Sequence, residues 1–130
     1  MNENLTATAS TTIHAPASDV WDALVNPEKI KQYMFGTNVT SDFEVGSPIT
    51  WKGEWKGKAY EDKGVIKRMT PGRLLEYTHN EHTVVVELAG ENGTTSVNLR
   101  QDHNPNEKAK QESEKNWSMM LDGLKKLVEG

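Results

Sequence analysis

The chain has 130 residues, with 19 acidic and 15 basic side chains, a formal net charge of −4 and no cysteine. That size suits one domain, 1–130, with a real core, and the dispersed, slightly acidic charge excludes the basic stripe of a nucleic-acid binder and the basic patch drawn to anionic membranes. Without cysteine there can be no disulfide and no thiolate metal site, and no apolar run nears the roughly 20 residues of a membrane-spanning helix.

The first predicted element is a strand in "NLTATASTTIHAP". Leu5, Ala7, Ala9, Thr11 and Ile13 share one side and threonines crowd the other, as in an edge or half-buried strand that stops at Pro16. "ASDVWDALVNPEKIKQYM" reads as two short helices. Ser18 or Asp19 is the expected cap of the first, and Val20, Trp21, Leu24 and Val25 form its apolar face. Asn26-Pro27 ends it and starts the second, which carries Ile30, Tyr33 and Met34.

From Gly36 to His103 the chain reads as six or so consecutive strands: Val39–Phe43, a stretch around "ITWKGEWKGKAY", Gly64–Met69, Leu74–His79, Thr83–Leu88 and Ser96–Gln101. The turns "EVGSP", "TPGR" and "AGENGTT" separate them, and such short connections mean antiparallel neighbours. The last element is a long helix. Asn104, Pro105 and Glu107 are expected at N-cap, N1 and N3. In "NWSMMLDGLKKLVEG", Trp117, Met120, Leu121, Leu124 and Val128 then fall on one helical side. The expected class is α+β: helices on one face of a curved antiparallel sheet.

Several segments together resemble the START-like (SRPBCC) superfamily. They are "TTIHAPASDVWDALVNPEKIKQYM", "GSPITWKG", "GVIKRMTPGRLLEYTH", "NGTTSVNL" and "NWSMMLDGLKKLVE". The subgroup most similar is the one named for the C-terminal domain of the heat-shock protein 90 ATPase activator (Aha). Arg68 stands where that family often has Glu, and Gln101 where it often has His, so polar contacts made there elsewhere do not carry over. The resemblance implies a helix-grip fold of six or seven strands wrapped around the C-terminal helix. It also implies a cavity between them that takes lipids, polyketides or other apolar small molecules in related domains. No cofactor is implied.

By alternation, Leu75, Tyr77 and His79 share a face, as do Val84, Val86 and Leu88, then Val97, Leu99 and Gln101. Trp51 and Trp55 lie on one side of their strand, and Gly53 between them leaves space. The sheet's inner face is thus apolar with polar tips at Tyr77, His79 and Gln101, which is the pattern of a ligand pocket. For an aliphatic residue, core is the favoured assignment over pocket. For Trp51, Tyr77 and Trp117 the resemblance tilts toward a cavity wall.

The expected ligand site therefore has Trp117, Met120, Leu121 and Leu124 on the helix side. Trp51, Tyr77, His79, Val86, Leu99 and Gln101 are on the sheet side, with Met34 and Phe35 near the mouth. No motif places a serine, cysteine or carboxylate beside His79, so a hydrogen-bonded, half-buried histidine is expected rather than a general base. Glu61-Asp62 is read as solvated. No histidine–carboxylate spacing suggests a metal. The leading expectation is a non-enzymatic, cytoplasmic protein binding an apolar small molecule, since "MNENLTATAS" does not read as a secretion signal. The alternatives are a protein-interaction module with a chaperone partner, and a cyclase- or hydrolase-type enzyme acting through His79 or Tyr77.

Overall fold

A computed structural model of the chain describes residues 5–34, 36–55, 57–80 and 82–130. In chain order the elements are β1 (Leu5–Ile13), α1 (Ala17–Val25), α2 (Pro27–Tyr33), β2 (Asn38–Ser41), β3 (Pro48–Trp55), β4 (Lys58–Thr70), β5 (Leu74–His79), β6 (His82–Glu91), β7 (Thr94–Asn104) and α3 (Glu107–Glu129). The seven strands form one sheet in the order β1-β7-β6-β5-β4-β3-β2, antiparallel throughout. β2 to β7 are a meander, and β1 returns to pair with the last strand. The curved sheet grips α3, which is the helix-grip architecture expected from the resemblance. No helix among the described residues is long and apolar enough to cross a membrane.

Short turns enforce the meander. Between β6 and β7, Asn92 and Gly93 both hold positive φ, 53° and 77°, so Glu91 and Thr94 face each other across a two-residue turn. Asn-Gly is the pair best suited to that backbone. The inner face is built of cross-strand rows. Ile66, Tyr77, Val84, Gln101 and Ala7 make one row, and Leu75, Val86, Leu99 and Ala9 the next. Met120, Leu121 and Leu124 of α3 close over these rows, with Val20, Ala23 and Leu24 of α1 and Ile30 and Tyr33 of α2 in the same core. The Tyr33 hydroxyl donates to the Ala23 carbonyl at 2.7 Å, which locks the two short helices together.

β6 and β7 run past the expected Thr83–Leu88 and Ser96–Gln101 at both ends, and four other boundaries differ from the sequence reading. β2 stops at Ser41, because the Ser41 hydroxyl turns back to accept the Phe43 N–H at 3.0 Å and Phe43 takes a positive φ of 51°. β4 runs unbroken from Lys58 to Thr70, so Gly64 lies inside a strand instead of starting one. The N-cap position of α1 is Pro16, with no side-chain cap, so neither Ser18 nor Asp19 is the cap. The cap of α3 is Asn106, whose side chain accepts the Ala109 N–H at 2.8 Å. Asn104 is occupied elsewhere: buried at the end of β7, it donates to the carbonyls of Leu5 and Gln101 at 3.0 and 2.9 Å and accepts from Ser113 at 2.9 Å.

β1 is an edge strand, and side chains of α3 bond two of its backbone groups. Glu114 accepts the Thr8 N–H at 3.0 Å, and Lys125 donates to the Thr12 carbonyl at 2.7 Å. Just past the strand, Glu129 accepts the His14 N–H at 2.8 Å. Blocking an edge in this way prevents it from pairing with another chain.

Two predictions follow from this architecture. A Cβ at Gly64 would overlap the carbonyl oxygen of Thr78 in the neighbouring strand, and backbone cannot swing aside as a side-chain tip can. Gly64→Ala should therefore cost about 1–3 kcal/mol in urea unfolding, and a loss below about 0.5 kcal/mol would contradict the close approach. The second concerns Glu129, whose carboxyl is held below the usual range, first by the His14 N–H and then by Lys125. A depressed folded-state pKa adds stability above the unfolded value and loses it as pH falls through the folded one. The melting temperature of Glu129→Gln should thus lie below wild type near neutrality, with the gap closing between about pH 6 and pH 3. A pH-independent gap would contradict it.

Candidate functional site

The site grows from β3 and β4. Trp51 faces inward from β3, and Gly53, two residues on, faces the same way opposite Tyr60 of β4. A Cβ on Gly53 would stand 2.6 Å from the Tyr60 hydroxyl oxygen, so the missing side chain is the room that the tyrosine ring occupies. The Tyr60 hydroxyl in turn hydrogen-bonds the hydroxyl of Thr37, which follows α2. By strand alternation Tyr60, Asp62, Gly64 and the buried Ile66 share the inner face of β4.

Asp62 thereby meets β5. Its Oδ2 accepts from His79 Nε2 at 3.1 Å and its Oδ1 from Asn80 Nδ2 at 3.1 Å. Asn80, with a φ of 56°, also clamps β4 by donating its N–H to the Lys63 carbonyl at 2.8 Å. Because a carboxylate can only accept, Nε2 carries the proton in this pair and Nδ1 of a neutral His79 is left as an acceptor. The Trp51 ring meets His79 edge-on, with centroids 4.7 Å apart at 87°, and Tyr77 at 5.5 Å and 42°. Burial pushes the Tyr77 hydroxyl well above its ordinary pKa, so it stays protonated. Across from these rings, the Trp117 indole N–H of α3 donates to Gln101 of β7.

These groups lie around an open cavity of about 730 Å³ between the β3–β5 part of the sheet, the end of α2 and the middle of α3. Met34, Trp51, Tyr77, Trp117 and Met119 form its apolar wall. Thr37, Tyr60, Asp62, His79, Lys115 and Asn116 supply the polar groups. Met119, 51% exposed, lies at the rim with the exposed Lys115 and Asn116. Further in, the space between α3 and the sheet is closed. There a void of only about 30 Å³ is lined by Leu75, Val86, Leu99 and Met120 among others.

The sequence-predicted residues thus divide. Trp51, Tyr77, His79, Trp117 and Met34 come together around the open cavity; Met120, Val86 and Leu99 line only the small void, which Trp51, Tyr77 and Met34 border as well. Leu121 and Leu124 line neither; at 1% and 0% exposure they are core. Their helical spacing put them on the buried face, where filling space is worth about 1.5–3 kcal/mol per side chain. Gln101 stands behind Trp117 as the acceptor of its N–H. Phe35 and the Trp55 side chain lie outside the described residues.

One reading needs correction. His79 is the hydrogen-bonded, half-buried histidine expected, but its partner is Asp62, which is therefore not a solvated strand residue. The period-two run Tyr60, Asp62, Gly64, Ile66 carried the signal for both Asp62 and Tyr60. Thr37, Lys115 and Asn116 had none. Among the described residues no group of three or more histidine and carboxylate side chains could hold a metal ion.

Comparison with known proteins agrees with the geometry. The profile of the family described as "Activator of Hsp90 ATPase homolog 1-like protein" matches residues 14–129. The solution structure of ChR145 from Cytophaga hutchinsonii is similar at 48% identity and a TM-score of 0.85, over 99% of this chain and 96% of that one. The AHSA1-like protein from Aeromonas hydrophila shares the fold at 24% identity and a TM-score of 0.79, over 96% and 92% of the two chains. Ara h 8.0201 does so at 11% identity and a TM-score of 0.79, over 97% and 98%. No curated protein matches the chain at a significant level. With its profile match spanning almost the whole length, the chain belongs to the Activator of Hsp90 ATPase homolog 1-like family of the START-like (SRPBCC) superfamily.

Proposed function

We propose that this protein binds an apolar small molecule, lipid-like or aromatic, in the cavity between the sheet and the middle of α3. The observation that carries the reading is the cavity of about 730 Å³ walled by Trp51, Tyr77, Trp117 and two methionines. That volume is within the range of about 300–1,000 Å³ usual for ligand pockets, and the few polar groups at one side are what orient a ligand in such sites. The methionines give the wall adaptable surface. Trp117, Trp51, Tyr77 and Met34 would hold the apolar body, and His79 with Asp62 would face its polar substituent. The ligand sits at the mouth of the grip and not along the length of α3, since the inner groove is filled.

A second reading, a chaperone-binding module, has the family description in its favour. Stoichiometric recovery of a chaperone with the purified chain, undiminished in Trp117→Ala, would put it first.

The test is a thermal-shift screen of long-chain fatty acids and of biphenyl and naphthyl compounds. Binding to the folded state alone stabilises by about 2.7 kcal/mol at a hundredfold excess over Kd. Trp117→Ala should weaken a confirmed ligand at least about tenfold, as expected for losing a desolvated aromatic anchor, while Trp117→Phe keeps most of the affinity. A ligand bound equally well by wild type and Trp117→Ala would move the site elsewhere.

A further inference from the structure

Two hydrogen-bond donors in the cavity have no partner among the described residues. Trp51 and Tyr77 are 5% and 9% exposed, and every other buried aromatic polar group near them is satisfied. The Tyr33 hydroxyl has the Ala23 carbonyl, and the Trp117 N–H has Gln101. The indole N–H of Trp51 and the hydroxyl of Tyr77 make no hydrogen bond among the described residues, yet no sealed-off side-chain nitrogen or oxygen lacks a partner. Both atoms therefore reach accessible space. Both residues stand where the cavity meets the small void, lining both, with ring centroids 5.5 Å apart, so that space is the cavity's inner end, at its junction with the void. An indole N–H can only donate, and a tyrosine hydroxyl kept protonated by burial readily does so.

Resting on the binding reading above, we infer that this inner end is a subsite for an acceptor oxygen, filled by the neutral carbonyl of a ketone or aldehyde on an aromatic or otherwise apolar body. A carbonyl oxygen offers two lone pairs to two donors and has no proton of its own to place. A carboxylate fits less well. The Asp62 carboxylate lines the same cavity, and Lys115, the one ammonium group on its described wall, is at the exposed rim. An anion between the Trp51 and Tyr77 rings would be desolvated without a cation beside it. His79, through the Nδ1 left free by its bond to Asp62, would accept from any hydroxyl the same ligand carries.

The test uses three probes of one shape: a propionyl dimethylaminonaphthalene, its propyl analogue, which lacks the oxygen, and the corresponding dimethylaminonaphthoate. Wild type should bind the ketone about tenfold more tightly than the propyl compound and more tightly than the carboxylate. Tyr77→Phe should cost the ketone about three- to tenfold and leave the propyl compound within about twofold, the range of one neutral hydrogen bond. The ketone's fluorescence, which moves to the red when its carbonyl is hydrogen-bonded, should move back to the blue in Tyr77→Phe. Trp51→Phe provides the same comparison from the other donor. Equal losses for ketone and propyl probe, or a carboxylate that binds best, would overturn the inference and leave the binding reading standing. Failure of all three probes to bind would overturn the inference, and failure of the fatty-acid and biphenyl compounds as well would overturn the binding reading with it.

Discussion

Leu121 and Leu124 lie fully buried between α3 and the sheet, with Met120 beside them, and the remaining features are arranged around that contact. It places the C-terminal half of α3 across the rows formed by β5, β6, β7 and β1. Each of those side chains contributes about 1.5–3 kcal/mol by leaving water, so the sequence could not leave this half of the groove empty without a large loss of stability. Trp117, one turn earlier, marks the change: its N–H is tied to Gln101, and toward the N-terminus the helix offers Ser113, Lys110 and Ala109 in place of large apolar groups. A gripped helix with one filled half and one thin half leaves its space at the thin end.

The sheet shapes the same space from its other side through missing side chains. Gly53 yields its volume to the Tyr60 ring, and Gly64 lets β4 pass against the Thr78 carbonyl. Beyond them the register between β4 and β5 shifts near Ile66–Arg68. With β4 held in this way, Asp62 meets His79 across the strand pair and Asn80 fastens the turn to both. The polar edge of the cavity is therefore a product of strand pairing, and it orients the histidine without any helix or metal.

The architecture was legible to a large extent because it rests on periodicity and turn chemistry. The period-two runs through Leu75, Tyr77 and His79 and through Val97, Leu99 and Gln101 placed the correct faces inward, and Asn92-Gly93 marked the last hairpin. The cap of α3 was misread for a local reason. Two asparagines two residues apart both suit a helix start, and only the long-range bonds of Asn104 to Leu5 and Gln101 decide between them. Half of the candidate site was visible in the same way, as large rings on inner faces. The rest depends on which part of the apolar stripe is covered: Leu124 and Trp117 belong to one stripe, and only the packing of the sheet against the filled half and the thin half of the helix decides which of them meets space. Asp62 was hidden by its charge, which reads as solvent-facing until the strand's alternation is followed from Ile66.

The central claim is that ligand space exists at the Trp117 end of the grip and is closed beyond it. The most direct measurement is a nitrogen–proton NMR titration of the tryptophan indoles with a ligand confirmed by thermal shift. The indole signals of Trp51 and Trp117 should move with ligand while that of Trp21, on α1 and packed against the closed core, stays in place. Movement of Trp21 with Trp51 and Trp117 unchanged would contradict the account.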